Sequence, residues 1–105
     1  MRLAALAVVA TAVALPAASQ DAAAGKQKAQ QLCALCHGPN GLASAPDAPH
    51  LAGQSAIYTA AQLRAYRSGA RKHEVMAVIA KNLSDADIAA LAAWYASIKV
   101  EATAP

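Results

Sequence analysis

Two thiols and an imidazole stand together in Cys33-Ala34-Leu35-Cys36-His37. Cysteines three residues apart share one side of a helical turn, and a histidine directly after the second gives the C-x-x-C-H spacing of c-type haem attachment. The chemistry accounts for the spacing. Each thiol can add to one of the two porphyrin vinyl groups, and the adjacent imidazole then reaches the iron from the proximal side. Three other chemistries use similar residues. A thioredoxin-like dithiol needs a βαβ setting. A zinc site needs four ligands, and His50 and His73 are the remaining histidines, at spacings unlike the usual zinc patterns. A plain disulfide needs no histidine after it. One covalently bound haem c is the expected cofactor, with Cys33 and Cys36 as attachment points and His37 as a metal ligand.

A second axial position then has to be filled or left open. The chain holds two methionines, Met1 and Met76. Met76 lies in the apolar run Val75-Met76-Ala77-Val78-Ile79, where a methionine commonly serves as core filler. About 40 residues separate it from His37, enough chain to pass round to the distal face, so Met76 is the expected distal ligand. His50 and His73 are its rivals and would give bis-histidine iron, although both stand in polar, loop-like surroundings.

The elements that must position these residues read as helices. No run of β-branched or aromatic residues alternates with polar ones, so the fold class expected is all-α. A first helix is expected from Asp21 to about Ala34, ending against the cysteine motif. Residues 38–53 are rich in Gly, Pro, Asn, Ser and Asp, which predicts a loop of the length that wraps something or carries function. Ser55 is placed to cap a second helix ending at Gly69, with Ile57, Tyr58, Ala61 and Ala65 on one face and Leu63 and Tyr66 on another. Ser84 and Asp87 have the spacing of a capping box, and Ile88, Leu91, Ala92, Tyr95 and Ile98 follow at helical intervals.

Composition explains why such a domain needs a cofactor. The chain has 105 residues; 57% are hydrophobic, yet aromatics make up 4% and phenylalanine is absent. Alanine dominates that apolar fraction and fills little core volume. Met1-Arg2, the uncharged run from Leu3 to Leu15 and the small residues Ala17-Ala18-Ser19 have the pattern of a secretory signal, so residues 1–19 are expected to be removed, leaving residues 20–105 as the functional domain. An uncleaved anchor is the alternative for that segment. At 86 residues (105 minus 19) the remaining domain would be marginal without a prosthetic group or cross-link. The formal net charge of +3 is mild, and no basic stripe is interleaved with aromatics, which argues against nucleic acid as a partner.

With these segments in order, the chain resembles the bacterial class I c-type cytochromes, and in particular one haem-binding repeat of the dihaem cytochromes c4. The resemblance spans about residues 25–98 and is carried by Gly25, Cys33 to His37, Pro49-His50-Leu51-Ala52-Gly53-Gln54, Tyr58, Gln62-Leu63, Arg67-Ser68-Gly69, Met76, Leu83-Ser84-Asp85 and Leu91-Ala92-Ala93-Trp94-Tyr95. It implies three to five helices wrapped around one haem. It implies Met76 as distal ligand, the Pro49 carbonyl as acceptor of the proximal imidazole N–H, Leu51 packed on the haem, and Gly25 where the first and last helices cross. Ala29 replaces the aromatic that the family commonly has four residues before the first cysteine, so Trp94 or Tyr95 must fill that crossing.

The function expected is one-electron transfer rather than catalysis, in the periplasm and without stable membrane insertion, between respiratory or other redox partners. A basic cluster of Arg64, Arg67, Arg71 and Lys72 suggests partners with acidic docking surfaces. The alternatives are a haem enzyme or gas-binding protein with an open distal site, and an electron-input subunit of a larger oxidoreductase.

Overall fold

A computed structural model describes Met1 and residues 4–105, with the backbone alone for residues 18–20. Arg2 and Leu3, which open the expected leader, lie outside the described residues. Residues 4–16 have no regular secondary structure, and Leu6, Val8, Val9 and Val13 are exposed. No helix among the described residues is long and apolar enough to cross a membrane.

Five helices follow: α1 (Ala17–Leu32), α2 (Ala34–His37), α3 (Ala56–Ser68), α4 (Glu74–Ala80) and α5 (Asp85–Ser97). No strand occurs among the described residues, as the lack of alternation predicts. The first helix begins earlier than expected, at Ala17 rather than Asp21. Pro16, with φ fixed at −57°, leads into a run of strong helix formers that needs no side-chain cap. The helix pauses at Cys33, whose amide still donates to the Ala29 carbonyl (2.8 Å), and resumes as the single turn α2. The run from Val75 to Ile79, which carries no helix signal of its own in the sequence, is helical.

α1 and α5 form the main packed pair. They approach closely because Gly25 lacks a side chain: a Cβ there would strike the Ala90 carbonyl and come within 2.8 Å of the Trp94 Cβ. Ala29, 3% exposed, continues the crossing, and Trp94 and Tyr95 supply the bulk that the missing aromatic would have given. Lys26 holds its ammonium 5.5 Å above the Trp94 ring on the outer side. The core joins Ala29 to Leu63 of α3, Ala80 of α4, Leu83, and Ile88, Leu91 and Tyr95 of α5. α3 presents two apolar faces. Leu63 and Tyr66 belong to the core side, while Ile57 and Tyr58 remain exposed on the other.

The caps read from sequence are present. The Ser55 hydroxyl accepts from the Tyr58 amide, and Gly69 ends α3 in the left-handed conformation. Ser84 and Asp87 exchange bonds of 3.0 Å in both directions, fixing the start of α5.

Candidate functional site

The C-x-x-C-H turn is built by the junction of α1 and α2. Cys33 breaks the first helix, α2 carries Cys36 and His37, and Gly38 stops it with φ +80°, a conformation in which an added Cβ would strike the Leu42 carbonyl. The chain therefore turns sharply after His37 and runs back along the motif. Amides of Ser44 and Ala45 both donate to the Cys36 carbonyl at 3.1 Å, and the Ser44 hydroxyl donates to the Leu35 carbonyl. Leu51 and Ala52 donate to the Gly41 carbonyl, and Gly53 donates to Tyr95 of α5 at 2.9 Å. The long loop thus wraps the motif, as its composition predicts.

His37 is 8% exposed, and its Nδ1 lies 2.9 Å from the Pro49 carbonyl. A carbonyl can only accept, so Nδ1 carries the proton and Nε2 keeps its lone pair. That is the tautomer a metal-binding imidazole needs, with a second partner raising its basicity. Cys33 and Cys36 are free, half-buried thiols. Burial pushes the Cys33 thiol above its ordinary value, and the neighbouring Tyr95 hydroxyl offsets part of that rise. Burial first, and then the Cys33 sulphur, push the Tyr95 phenol up as well. Both groups are therefore neutral near pH 7.

Leu51 and Met76 are partly buried and pack against the same cluster as Cys33. Met76 sits in the first turn of α4. The two rival distal ligands each accept a backbone amide. His50 accepts the Ala43 amide on Nδ1 at 2.7 Å, one residue from Pro49 and so within the loop that holds His37. His73 caps α4, accepting the Met76 amide on Nδ1 at 3.2 Å.

These residues fit haem c. Two free thiols stand three residues apart on one turn, an oriented imidazole follows, and a thioether stands on another helix packed on the same core. The Thr59 and Tyr95 hydroxyls are buried without a hydrogen-bond partner among the described residues, and Tyr95 is the one beside Cys33. Tyr95 was expected as bulk at the helix crossing, not as a hydroxyl beside the thiol, because a tyrosine inside a helix gives no sequence signal for where its hydroxyl points.

One expectation is corrected. Arg67 does not belong to a free basic face: it donates to the Leu83 carbonyl at 3.0 Å and pairs with Asp85 at 2.7 Å, tying α3 to the start of α5. Arg71 donates to Gln62 at 2.8 Å and lies 4.8 Å over the Tyr66 ring. Arg64 and Lys72 remain exposed.

The cytochrome c family model matches residues 22–99. Cytochrome c-554(548) of Halomonas halodenitrificans is 48% identical over 80 residues, covering 73% of this chain and 95% of that protein. A thiosulfate dehydrogenase electron acceptor of Stutzerimonas stutzeri is 44% identical over 69 residues, covering 63% of this chain and 32% of its own length. The crystal structure of reduced recombinant cytochrome c4 from Pseudomonas stutzeri aligns with a TM-score of 0.70 at 32% identity, over 77% of this chain and 50% of that one. The chain therefore spans nearly all of the first relative, about a third of the second and half of the third.

Proposed function

The chain belongs to the cytochrome c family, an electron-transfer protein with covalent haem c rather than an enzyme, and from that premise we propose that it is a periplasmic one-electron carrier with His37 and Met76 as axial ligands. Cys33 and Cys36 form the thioethers. Pro49 orients His37, and Leu51 packs on the haem. The observation that carries this reading is the buried His37 imidazole, held by the Pro49 carbonyl with Nε2 left as the ligating atom.

Haem supplies a one-electron Fe(II)/Fe(III) couple, and methionine–histidine ligation raises its potential. The protein's part is to hold both ligands and exclude water. His50 and His73 each accept a backbone amide, which favours Met76 over either as the distal ligand. No acid, base or nucleophile is required, because the electron crosses without bond-making. The resemblance to a thiosulfate dehydrogenase electron acceptor supports an oxidoreductase as the donor. Secretion through residues 1–19 and removal of that leader belong to the same proposal.

The test is a visible spectrum of the oxidised and reduced holoprotein together with acid extraction of the haem. Porphyrin should stay on the polypeptide, and the ferric form should show the methionine-to-iron charge-transfer band. Met76→Ala should abolish that band, lower the potential and admit cyanide or carbon monoxide. A wild type that binds carbon monoxide freely would instead support an open distal site.

A further inference from the structure

His73 occupies an unusual place for a histidine. Helix N-caps favour Asn, Asp, Ser, Thr or Gly, whose short side chains reach back to the second or third amide of the helix. Here the backbone at His73 is extended (φ −158°, ψ 129°), and the imidazole Nδ1 accepts the amide of Met76, the third residue of α4. The ring also stands edge-on to Tyr66 of α3, with centroids 6.4 Å apart and planes at 72°. Tyr66 in turn lies under the Arg71 guanidinium, which bonds Gln62. The Arg71 amide donates to the Ala65 carbonyl at 3.1 Å, so the turn leading to His73 is fastened to α3 at its start as well.

A smaller cap would satisfy the amide but would not reach Tyr66. The imidazole does both. α4 has seven residues, too short for its own hydrogen bonds to hold it in water. The position of Met76 therefore depends on how the first turn of α4 is fastened, and His73 joins that turn to Tyr66 of α3.

We infer that His73 is a positioning residue for the distal ligand: by capping the Met76 amide and bracing on Tyr66, it fixes the backbone from which the Met76 thioether reaches the iron. This rests on Met76 being that ligand. Loosening the turn should leave the methionine easier to displace, even where the fold as a whole is retained.

The test uses ferric holoprotein titrated with imidazole, which must displace the methionine, while the charge-transfer band is followed. His73→Ala should bind imidazole about fivefold more tightly than wild type, the factor corresponding to a typical lost cap of about 1 kcal/mol. His73→Asn, which restores an acceptor for the amide but not the contact with Tyr66, should bind imidazole with an affinity between those of wild type and His73→Ala. Ser55→Ala removes the cap of α3 without touching α4; it should lower the melting temperature and leave imidazole binding unchanged. If His73→Ala fails to accumulate as holoprotein, His73→Gln, whose amide stands one methylene too far out to cap, takes its place. Equal imidazole affinity in wild type and the uncapped variant overturns the inference, as does an equal gain in Ser55→Ala. A wild type lacking the methionine band overturns the ligation reading itself, and is distinguished by that band before any variant is made.

Discussion

The His37 to Pro49 bond and the Arg67 to Leu83 bond are alike in one respect: each joins a side chain to a main-chain carbonyl. Any residue supplies a carbonyl, so neither acceptor has a signature of its own. The cysteine motif was legible because its chemistry demands particular side chains at a fixed spacing. Pro49 was reached through family resemblance, and Arg67 was misassigned because its spacing from Arg64 and Arg71 describes one helix and says nothing about what lies across from it. Arg67 now carries a stability prediction. A bond from a charged donor to a half-buried carbonyl contributes about 1.5–3 kcal/mol, and pairing with an exposed carboxylate adds about 0–1 kcal/mol. Arg67→Gln should therefore lower stability by about 2 kcal/mol in denaturant melts, while the rate of electron transfer to a partner stays near that of wild type. A slowed transfer with unchanged stability would return Arg67 to the docking face.

Among the elements, α5 and its crossing with α1 offer two measurements. Gly25→Ala gains helix propensity of about 1 kcal/mol, but the new methyl meets the Ala90 carbonyl, a backbone atom that cannot swing aside. Overpacking typically costs about 1–3 kcal/mol, and a contact with backbone belongs at the upper end, so the clash should win and the melting temperature should fall. A rise would mean that the helices slide apart without loss. The second measurement concerns the capping box. The Ser84 amide is the main cause holding the Asp87 carboxyl below its ordinary value of 3.8; burial opposes it as the next largest effect, and the Ser84 hydroxyl and Lys28 assist the lowering. A depressed carboxylate contributes stability that is complete above its unfolded value and lost as pH falls through the folded one. The melting gap between wild type and Asp87→Asn should thus be widest near neutrality and close below pH 3.8; a gap independent of pH would assign the effect to geometry alone. Caps of this kind were legible because they are local. The helical state of residues 74–80 was not, since seven residues carry too little periodicity and their helix is fixed by His73 and by contact with α3.

At the scale of the whole molecule, the revised charge map leaves Arg64, Lys72 and the partly engaged Arg71 as the basic face. Complementary charge raises the rate of encounter more than its duration, which suits a carrier that must bind and leave quickly. Screening lengths fall from about 10 Å at 0.1 M salt to about 3 Å at 1 M. Electron transfer to an acidic partner should slow across that range, and the double variant Arg64→Glu/Lys72→Glu should be slower at low salt and less salt-sensitive. Flat salt dependence in both proteins would point to apolar docking. The all-helical fold was legible from the lack of strand-like alternation, and the need for a cofactor from an apolar fraction poor in large side chains. The two-sided character of α3 was legible too, though not which side faces inward, because exposure depends on elements far away in sequence.

The pairing of α1 with α5 also sets an order in time. Of the seven buried residues in the core cluster, Ile88, Leu91 and Tyr95 come from α5, and α1 finds its main surface there. A chain delivered from its N-terminus presents its segments in order, and contacts between distant segments can form only after both have emerged. Cys33, Cys36 and His37 are synthesised some fifty residues before the helix that closes over them. Until α5 is delivered α1 has no mate to bury against, so the motif stays open on an unfinished chain, and the arrival of α5 is what shuts it.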